Sequence, residues 1–350
     1  MEALSRTQRP LDHDQVRRYV AASFGADHAI AACGPITGGG FATVWWVALD
    51  DGREVVLKVA PRPDVPLLRY ERGLCAAEAR YFRLVSTHAP QVPVPPLLHH
   101  GDDPDLGEWL VSGLIPGRSL WEWAESEPHL DDAPARYDLG AAIAALHRVG
   151  GDRYGYDGGR ASGATWREAF AGMLDGLLAD AADWDVQLPT PPERIRELPE
   201  RYASVLDEVR RPALLHFDGW DGNVLAEPGT DGNLHLRGIV DGERFLFGDP
   251  LMDLVSPLIY RRVEDEPDNP FLRGYRATAT DPVVFEEAAL RRLSLYRLHL
   301  YLLMTVEMPS RGITRQNQPD RFERLADLLD HELTELRRDG VQRRARNSTR

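Results

Sequence analysis

The chain has 350 residues, 43% hydrophobic and 27% charged, the balance of a soluble globular protein long enough for two lobes with cores of their own. A formal net charge of −14 argues against broad electrostatic binding to nucleic acid, and no apolar run reaches the length of a membrane span. The two cysteines, Cys33 and Cys75, have no metal-ligand spacing, and with the polar start MEALSRTQRP they fit a reduced, cytoplasmic protein.

In chain order, Asp12 and Gln15 stand at capping-box spacing ahead of a helix over residues 12–24, and Gly25 is its natural stop. Three strand-like stretches follow, around 28–36, 42–49 and 54–60, the last two joined by the turn Asp50-Asp51-Gly52. Between the first two lies TGGGFATVW. Its Gly38, Gly39 and Gly40 would let a backbone approach phosphates closely, although a flexible hairpin tip reads the same way. LLRYERGLCAAEARYFRLV, residues 67–85, reads as a helix with Gly73 as a weak point in its middle. VPVPP then runs extended, and EWLVSGLIPG is a strand entering a turn. Beyond Pro116-Gly117 the helical pattern dominates, so a boundary is expected near residues 112–117, dividing 1–115 from 116–350. In the helical part His147 and Trp166 read as core residues, and the basic tail RRDGVQRRARNSTR as a solvated end.

The chemistry is concentrated in LLHFDGWDGNVL, residues 214–225. His216, Asp218 and Asn223 have the H-x-D-x-x-x-x-N spacing of a kinase catalytic loop, held between apolar pairs. Downstream, LRGIVDGERF puts Asp241 at the end of an apolar strand that forms a hairpin with residues 224–226. Asp, Asn and Gly also dominate surface turns, but a second Asp after a strand, in this order, favours the chemical reading. Phosphoryl transfer needs the γ-phosphoryl oxygens neutralised and a hydroxyl aimed in line. Asp218 would accept the hydroxyl proton, Asn223 and Asp241 would offer oxygen ligands to Mg²⁺, and His216 would brace the loop.

Of the 41 basic residues 40 are Arg, and the single Lys is Lys58, on the strand EVVLKVA. A compact ammonium differs from a planar guanidinium fork, and this is where a kinase holds the Lys that meets the α/β-phosphates. Glu78, in the following helix, is its natural partner, and Glu71, on a similar face, is the rival.

With VLKVA, VPVPPLL, LIPGRSL, ALH ending at His147, HFDGWDGNVL and IVDGERFLFGDPLMDL, the chain resembles the aminoglycoside phosphotransferase family over roughly residues 25–310. The resemblance implies an α+β, bilobal protein-kinase-like fold: an N-lobe with an antiparallel sheet and one main helix, and a mostly helical C-lobe. It implies ATP or GTP bound between the lobes near Ser112 and Leu114, Mg²⁺ on Asp241, and a hydroxylated small molecule over the C-lobe helices. Asp249 and Asp253 match family positions that open the next helix and buttress the loop. Phe217 departs from the Gly or Asn often found between the His and the Asp. Asp241-Gly242-Glu243 is not D-F-G, which disfavours a eukaryotic protein kinase.

Kinases of antibiotics, choline, homoserine and sugars share this family, so fold does not name the acceptor. Residues 1–115 carry a net charge of −3 and residues 116–350 a net of −11. An acidic acceptor lobe points to a cationic acceptor such as an aminoglycoside, with Glu243 and Glu307 as candidate contacts and Glu264, Asp265, Glu266 and Asp268 attracting it from a distance. Surface carboxylates that only keep the protein dispersed read the same way. The rival classes are a catalytically weak nucleotide-binding regulator and a metal-dependent phosphohydrolase built on His216, Asp218 and Asp241.

Overall fold

The computed structural model describes residues 5–347, with side chains to residue 337; the basic tail beyond Arg337 lies outside the described side chains. Helix α1 (His13–Phe24) starts at the Asp12–Gln15 capping box and ends at Gly25. Its Val16, Tyr19 and Val20 pack on one face of a five-stranded antiparallel sheet. The strands are β1 (Ile30–Ile36), β2 (Thr43–Leu49), β3 (Glu54–Val59), β4 (Leu97–Asp103) and β5 (Gly107–Gly113), in the order β1-β2-β3-β5-β4. Val55, Leu57 and Val59 of β3 and Trp109 and Val111 of β5 face α1. The two-residue period therefore turns Lys58 and Leu110 to the opposite face, where α2 (Leu74–His88) lies.

Two expectations need correction. The helix expected over 67–85 begins only at Leu74. Gly73 adopts a left-handed φ of 71° as its N-cap, and Arg69–Glu71 form a separate 3-10 turn. A glycine at that angle starts the helix instead of weakening its middle. The edge strand β4, LLHHGDD, was not anticipated, because its polar residues and Gly101 carry little strand signal at an edge position.

After β5, β6 (Arg118–Ser119) pairs with β10 (Val224–Pro228), which forms a hairpin with β11 (Leu234–Ile239) in a separate sheet. A second small sheet joins β7 (Tyr154–Tyr156), β8 (Ser162–Gly163), β9 (Ala213–Leu215) and β12 (Leu246–Gly248). Helices α3 (Leu120–Ser126), α4 (Ala133–Leu146) and α5 (Trp166–Asp183) precede three short turns, α6 to α8 (Pro192–Arg196, Leu198–Arg201, Ala203–Leu206). Then come α9 (Pro270–Thr278), α10 (Glu287–Glu307) and α11 (Pro319–Asn347). The fold is α+β and protein-kinase-like. Trp166 is buried and donates to the Tyr296 hydroxyl at 2.7 Å. Among the described residues no helix is long and apolar enough to cross a membrane.

Within α10, His299 is fully buried against Phe170 and Phe217, and among the described residues neither ring nitrogen meets a hydrogen-bond partner. Burial alone pushes its pKa down to about 3. The folded state thus disfavours protonation that the unfolded chain accepts near its ordinary value of about 6.5. The stability this neutral imidazole permits is complete above about pH 6.5 and is lost as pH falls from there toward 3. His299→Leu removes both the titration and the unsatisfied ring nitrogens. It should stabilise the fold by about 1–3 kcal/mol at neutral pH and flatten the acid side of its pH–stability curve, as read by urea melts. A variant as acid-sensitive as its parent would contradict this.

Candidate active site

Lys58 projects from β3 beneath α2. Its ammonium donates to Glu78 Oε1 at 2.7 Å and also to Asp241 Oδ1. Burial opposes the charge on Lys58, but Asp241 and then Glu78 outweigh it and the pKa is raised. Burial likewise opposes ionised Asp241, yet Lys58 holds it below the ordinary carboxylate value. Glu71 is not the partner. It accepts from the Leu68 N–H at 2.9 Å and pairs with Arg311 at 2.5 Å. Asp241 follows β11 by two residues, with a left-handed φ of 60°. Beside it, a Cβ on Gly242 would stand 2.0 Å from the Tyr81 ring, so only glycine lets α2 approach this turn.

The loop from β9 to β10 carries His216, Asp218 and Asn223. His216 is fully buried, which lowers its pKa and keeps it neutral. Its Nε2 donates to the Val240 carbonyl at 3.0 Å, and its Nδ1 accepts from the Asp218 N–H at 3.2 Å. Both nitrogens are thus engaged in bracing the loop. Phe217 holds φ 61°, a conformation costing a non-glycine residue about 1–2 kcal/mol, which is why Gly or Asn suits this position. Full burial of its ring against His299 offsets that cost, and Asp253 accepts the His216 and Phe217 N–H groups at 2.9 and 2.6 Å. Asp253 is in turn held by His147, whose other nitrogen meets the Tyr275 hydroxyl.

Asn223 Nδ2 donates to the Asp218 carbonyl at 2.9 Å and to Asp218 Oδ2 at 3.1 Å. Among the described residues that orientation leaves the Asn223 amide oxygen without a hydrogen-bond donor. With the Asp241 carboxylate it makes a hard, all-oxygen donor pair that fits Mg²⁺. Burial raises the Asp218 pKa, against the pull of Arg244 and then His216.

Arg244 was missed by the sequence reading. Its Nε lies 3.7 Å from Asp218 Oδ2, and its Nη2 donates to Glu307 at 2.8 Å. Its place three residues after Asp241 was the available signal. Arg244 also engages Glu307, the candidate acceptor contact. Burial opposes its charge, but Arg244 and Arg311 hold its pKa low, and Tyr70 donates to it. Glu264 is likewise matched by Arg297 and Arg262, and Glu266 by Arg261. Glu243 differs: burial, then Asp241 and Glu78, push its pKa up to about 8, so a cation beside it would favour its ionised form.

Gly38, Gly39 and Gly40 form the tip between β1 and β2, with Gly38 at φ 104°. An N-terminal strap, not foreseen from sequence, holds this tip. Gln8 Nε2 donates to the Gly39 and Ala42 carbonyls at 2.9 and 3.1 Å, and the Ser5 and Thr7 hydroxyls donate to Gly40 O at 2.7 and 3.1 Å. Gln8→Ala should raise the nucleotide KM about three- to tenfold, the effect of losing one to two modest hydrogen bonds, with kcat little changed. An unchanged KM would separate the strap from nucleotide binding. At the lobe junction Ser112 is buried, Gly113 donates to Pro96 O and Leu114 to Glu54 O. The N–H groups of residues 113 and 114 are therefore engaged within the fold.

A two-lobed fold with a Lys–Glu pair under its sheet and an H-x-D-x-x-x-x-N loop facing it defines a kinase-like phosphotransferase. Residues 33–293 match the model of the phosphotransferase enzyme family known as APH, and the chain belongs to that family, whose enzymes phosphorylate a hydroxyl acceptor. Comparison with curated proteins finds no match. Among solved structures it is similar to a protein assigned as a fructosamine-3-kinase from Thermobifida fusca, at 20% identity and a TM-score of 0.64, covering 92% of this chain and 100% of that one. It is also similar to a thermostable mutant of the aminoglycoside phosphotransferase APH(4)-Ia in ternary complex with AMP-PNP and hygromycin B, at 18% identity and a TM-score of 0.59, covering 91% and 98%. A further aminoglycoside phosphotransferase, in complex with GDP and kanamycin, aligns at 16% identity with a TM-score of 0.56, covering 91% and 98%. These likenesses show the shared fold.

Proposed function

We propose that the chain is a small-molecule kinase that moves the γ-phosphoryl group of ATP or GTP onto a hydroxyl, with Asp218 as the base. The observation that supports this most is the convergence of Lys58, Glu78 and Asp241 in one ion cluster, beside the loop in which Asn223 holds Asp218. Residues 1–115 would carry the nucleotide phosphates, and residues 116–350 the catalytic loop, metal and acceptor. Mg²⁺ on Asn223 and Asp241 would supply positive charge to the phosphate oxygens. Lys58, fixed by Glu78, would hold the α/β-phosphates, with Gly38 to Gly40 above them. Asn223 occupies Asp218 Oδ2, which leaves Oδ1 to take the acceptor proton while the loop aims the hydroxyl. His216 has no free nitrogen for a metal, which disfavours a phosphohydrolase.

The finer reading is an amine-bearing acceptor such as an aminoglycoside. It is supported by the acidity of residues 116–350 and by Glu243, two residues past Asp241. A neutral or weakly charged metabolite is favoured instead by the Arg partners that take up the charges of Glu307, Glu264 and Glu266.

A nucleotide-consumption screen over aminoglycosides, choline, homoserine and sugars tests both. Asp241→Ala serves as the blank and should lose Mg²⁺-dependent nucleotide binding. A cationic acceptor should show apparent affinity falling with salt, and a neutral one should not. Mg²⁺-nucleotide binding as tight in Asp241→Ala as in the parent would remove the metal assignment. Tight nucleotide binding with no turnover on any acceptor would favour a regulator.

A further inference from the structure

Near Lys58 the fold gathers three side chains that lie far from any local ligand spacing in sequence: Cys75, His100 and Glu108. In the β4–β5 ladder His100 stands opposite Leu110, and Asp102 opposite Glu108. The two-residue period therefore makes His100 and Glu108 diagonal neighbours on one face. It is the face that also carries Lys58, opposite Leu110, and that α2 covers. Cys75, in the first turn of α2, comes down onto it. One ligand atom from each of the three lies within 4.8 Å of the others, and His100 Nε2 is 3.0 Å from Glu108 Oε1.

We propose that Cys75, His100 and Glu108 bind a zinc-class divalent cation that staples α2 to the β4–β5 hairpin.

The donor set decides the class of ion. A thiolate, an imidazole and a carboxylate make a three-ligand tetrahedral site with water in the fourth position. Sulfur selects zinc-like ions and rejects Mg²⁺, so this site does not compete with the oxygen donors Asn223 and Asp241. Zinc bond lengths place such ligand atoms roughly 3.3–3.6 Å apart, so closure asks for side-chain shifts of about an ångström. The cation has a way in. His100 and Glu108 are 20% and 25% exposed, and His100 borders a surface cavity of about 420 Å³ with Arg83, Ser86 and Pro96. Binding replaces the S–H bond of Cys75 with an S–metal bond and releases the proton to solvent, so affinity should rise with pH. Burial keeps the free thiol protonated, which strengthens that dependence.

The consequence reaches the cleft. Cys75 and Glu78 are three residues apart and share a face of α2. A cation on Cys75 would fix the turn of helix that presents Glu78 to Lys58. The plain alternative is a histidine–carboxylate hydrogen bond beside a buried thiol, with no ion.

Cobalt(II), titrated into the full chain carrying Cys33→Ser, reports directly on Cys75 as the remaining thiol. The expected result is one cobalt per chain with a thiolate-to-metal charge-transfer band in the near ultraviolet, displaced by zinc and persisting in Asp241→Ala. Cys75→Ser should abolish the band. His100→Ala should weaken zinc binding by at least the roughly 10–100-fold that loss of an outer-shell partner costs. A cobalt complex without that band in the otherwise intact chain would overturn the proposal, and this reading does not depend on a Cys75 variant folding. Zinc retained equally by Cys75→Ser, or a band lost in Asp241→Ala, would overturn it too.

Discussion

Asp218→Asn should lower turnover by about 10²- to 10⁴-fold, the span of a positioned acid–base group, while nucleotide affinity stays near that of the parent. An amide is nearly isosteric with the carboxylate and can turn its oxygen toward Asn223 Nδ2, preserving the 3.1 Å contact that holds the loop. Arg244 loses one carboxylate neighbour but keeps Glu307 at 2.8 Å, so no buried charge is stranded. The loop backbone depends on His216 and Asp253 and is untouched. What the variant lacks is the ability to take a proton. Rapid-mix turnover together with nucleotide titration separates the two quantities. Near-native turnover would remove Asp218 as the base, and a collapse of nucleotide binding would show that it serves the phosphates instead.

Lys58→Arg keeps the charge and should still cost about 10²- to 10³-fold in kcat/KM, the loss typical of one misplaced electrostatic donor. Lys58 is 12% exposed and its Nζ fits between Glu78 and Asp241 under α2. A guanidinium is wider, planar and longer in reach, and to meet both carboxylates it must displace α2 or abandon Asp241. Calcium- and magnesium-dependent nucleotide titrations would show which of these occurs. Activity within a few-fold of the parent would mean that a cation is required at position 58 but a compact ammonium is not. The test is sharpened by the composition of the chain, where 40 of 41 basic residues are already Arg.

Much of the scaffold was legible locally. The Asp12–Gln15 cap, the alternation of β2 and β3, and the apolar strands around residues 214–225 are short-range patterns whose physics is complete within a few residues. The spacing of His216, Asp218 and Asn223 is of the same kind, because one tight loop must orient all three. Gly73 shows where this stops. A glycine within a helical pattern reads as a weak point, and only its left-handed φ of 71° makes it the start of the helix. Likewise β4 becomes a strand through pairing with β5, not through its own residues.

By itself, then, the sequence determined the elements that local geometry dictates, the lone Lys58 on its strand, and the spacing of His216, Asp218 and Asn223 in one loop. The tertiary structure alone decided which charges meet. It chose Glu78 over Glu71, brought Asp241 to Lys58 across 183 residues, and set Arg244 beside Asp218. It closed Glu307 inside an arginine pair, drew residues 5–8 over the glycine tip, and stood Cys75 beside His100 and Glu108. The physical reason is range. Hydrogen bonds and side-chain periodicity act over a few residues of chain. Ion pairs and ligand clusters depend on distance in space, which is set only when β-ladders, α2 and the two lobes have packed.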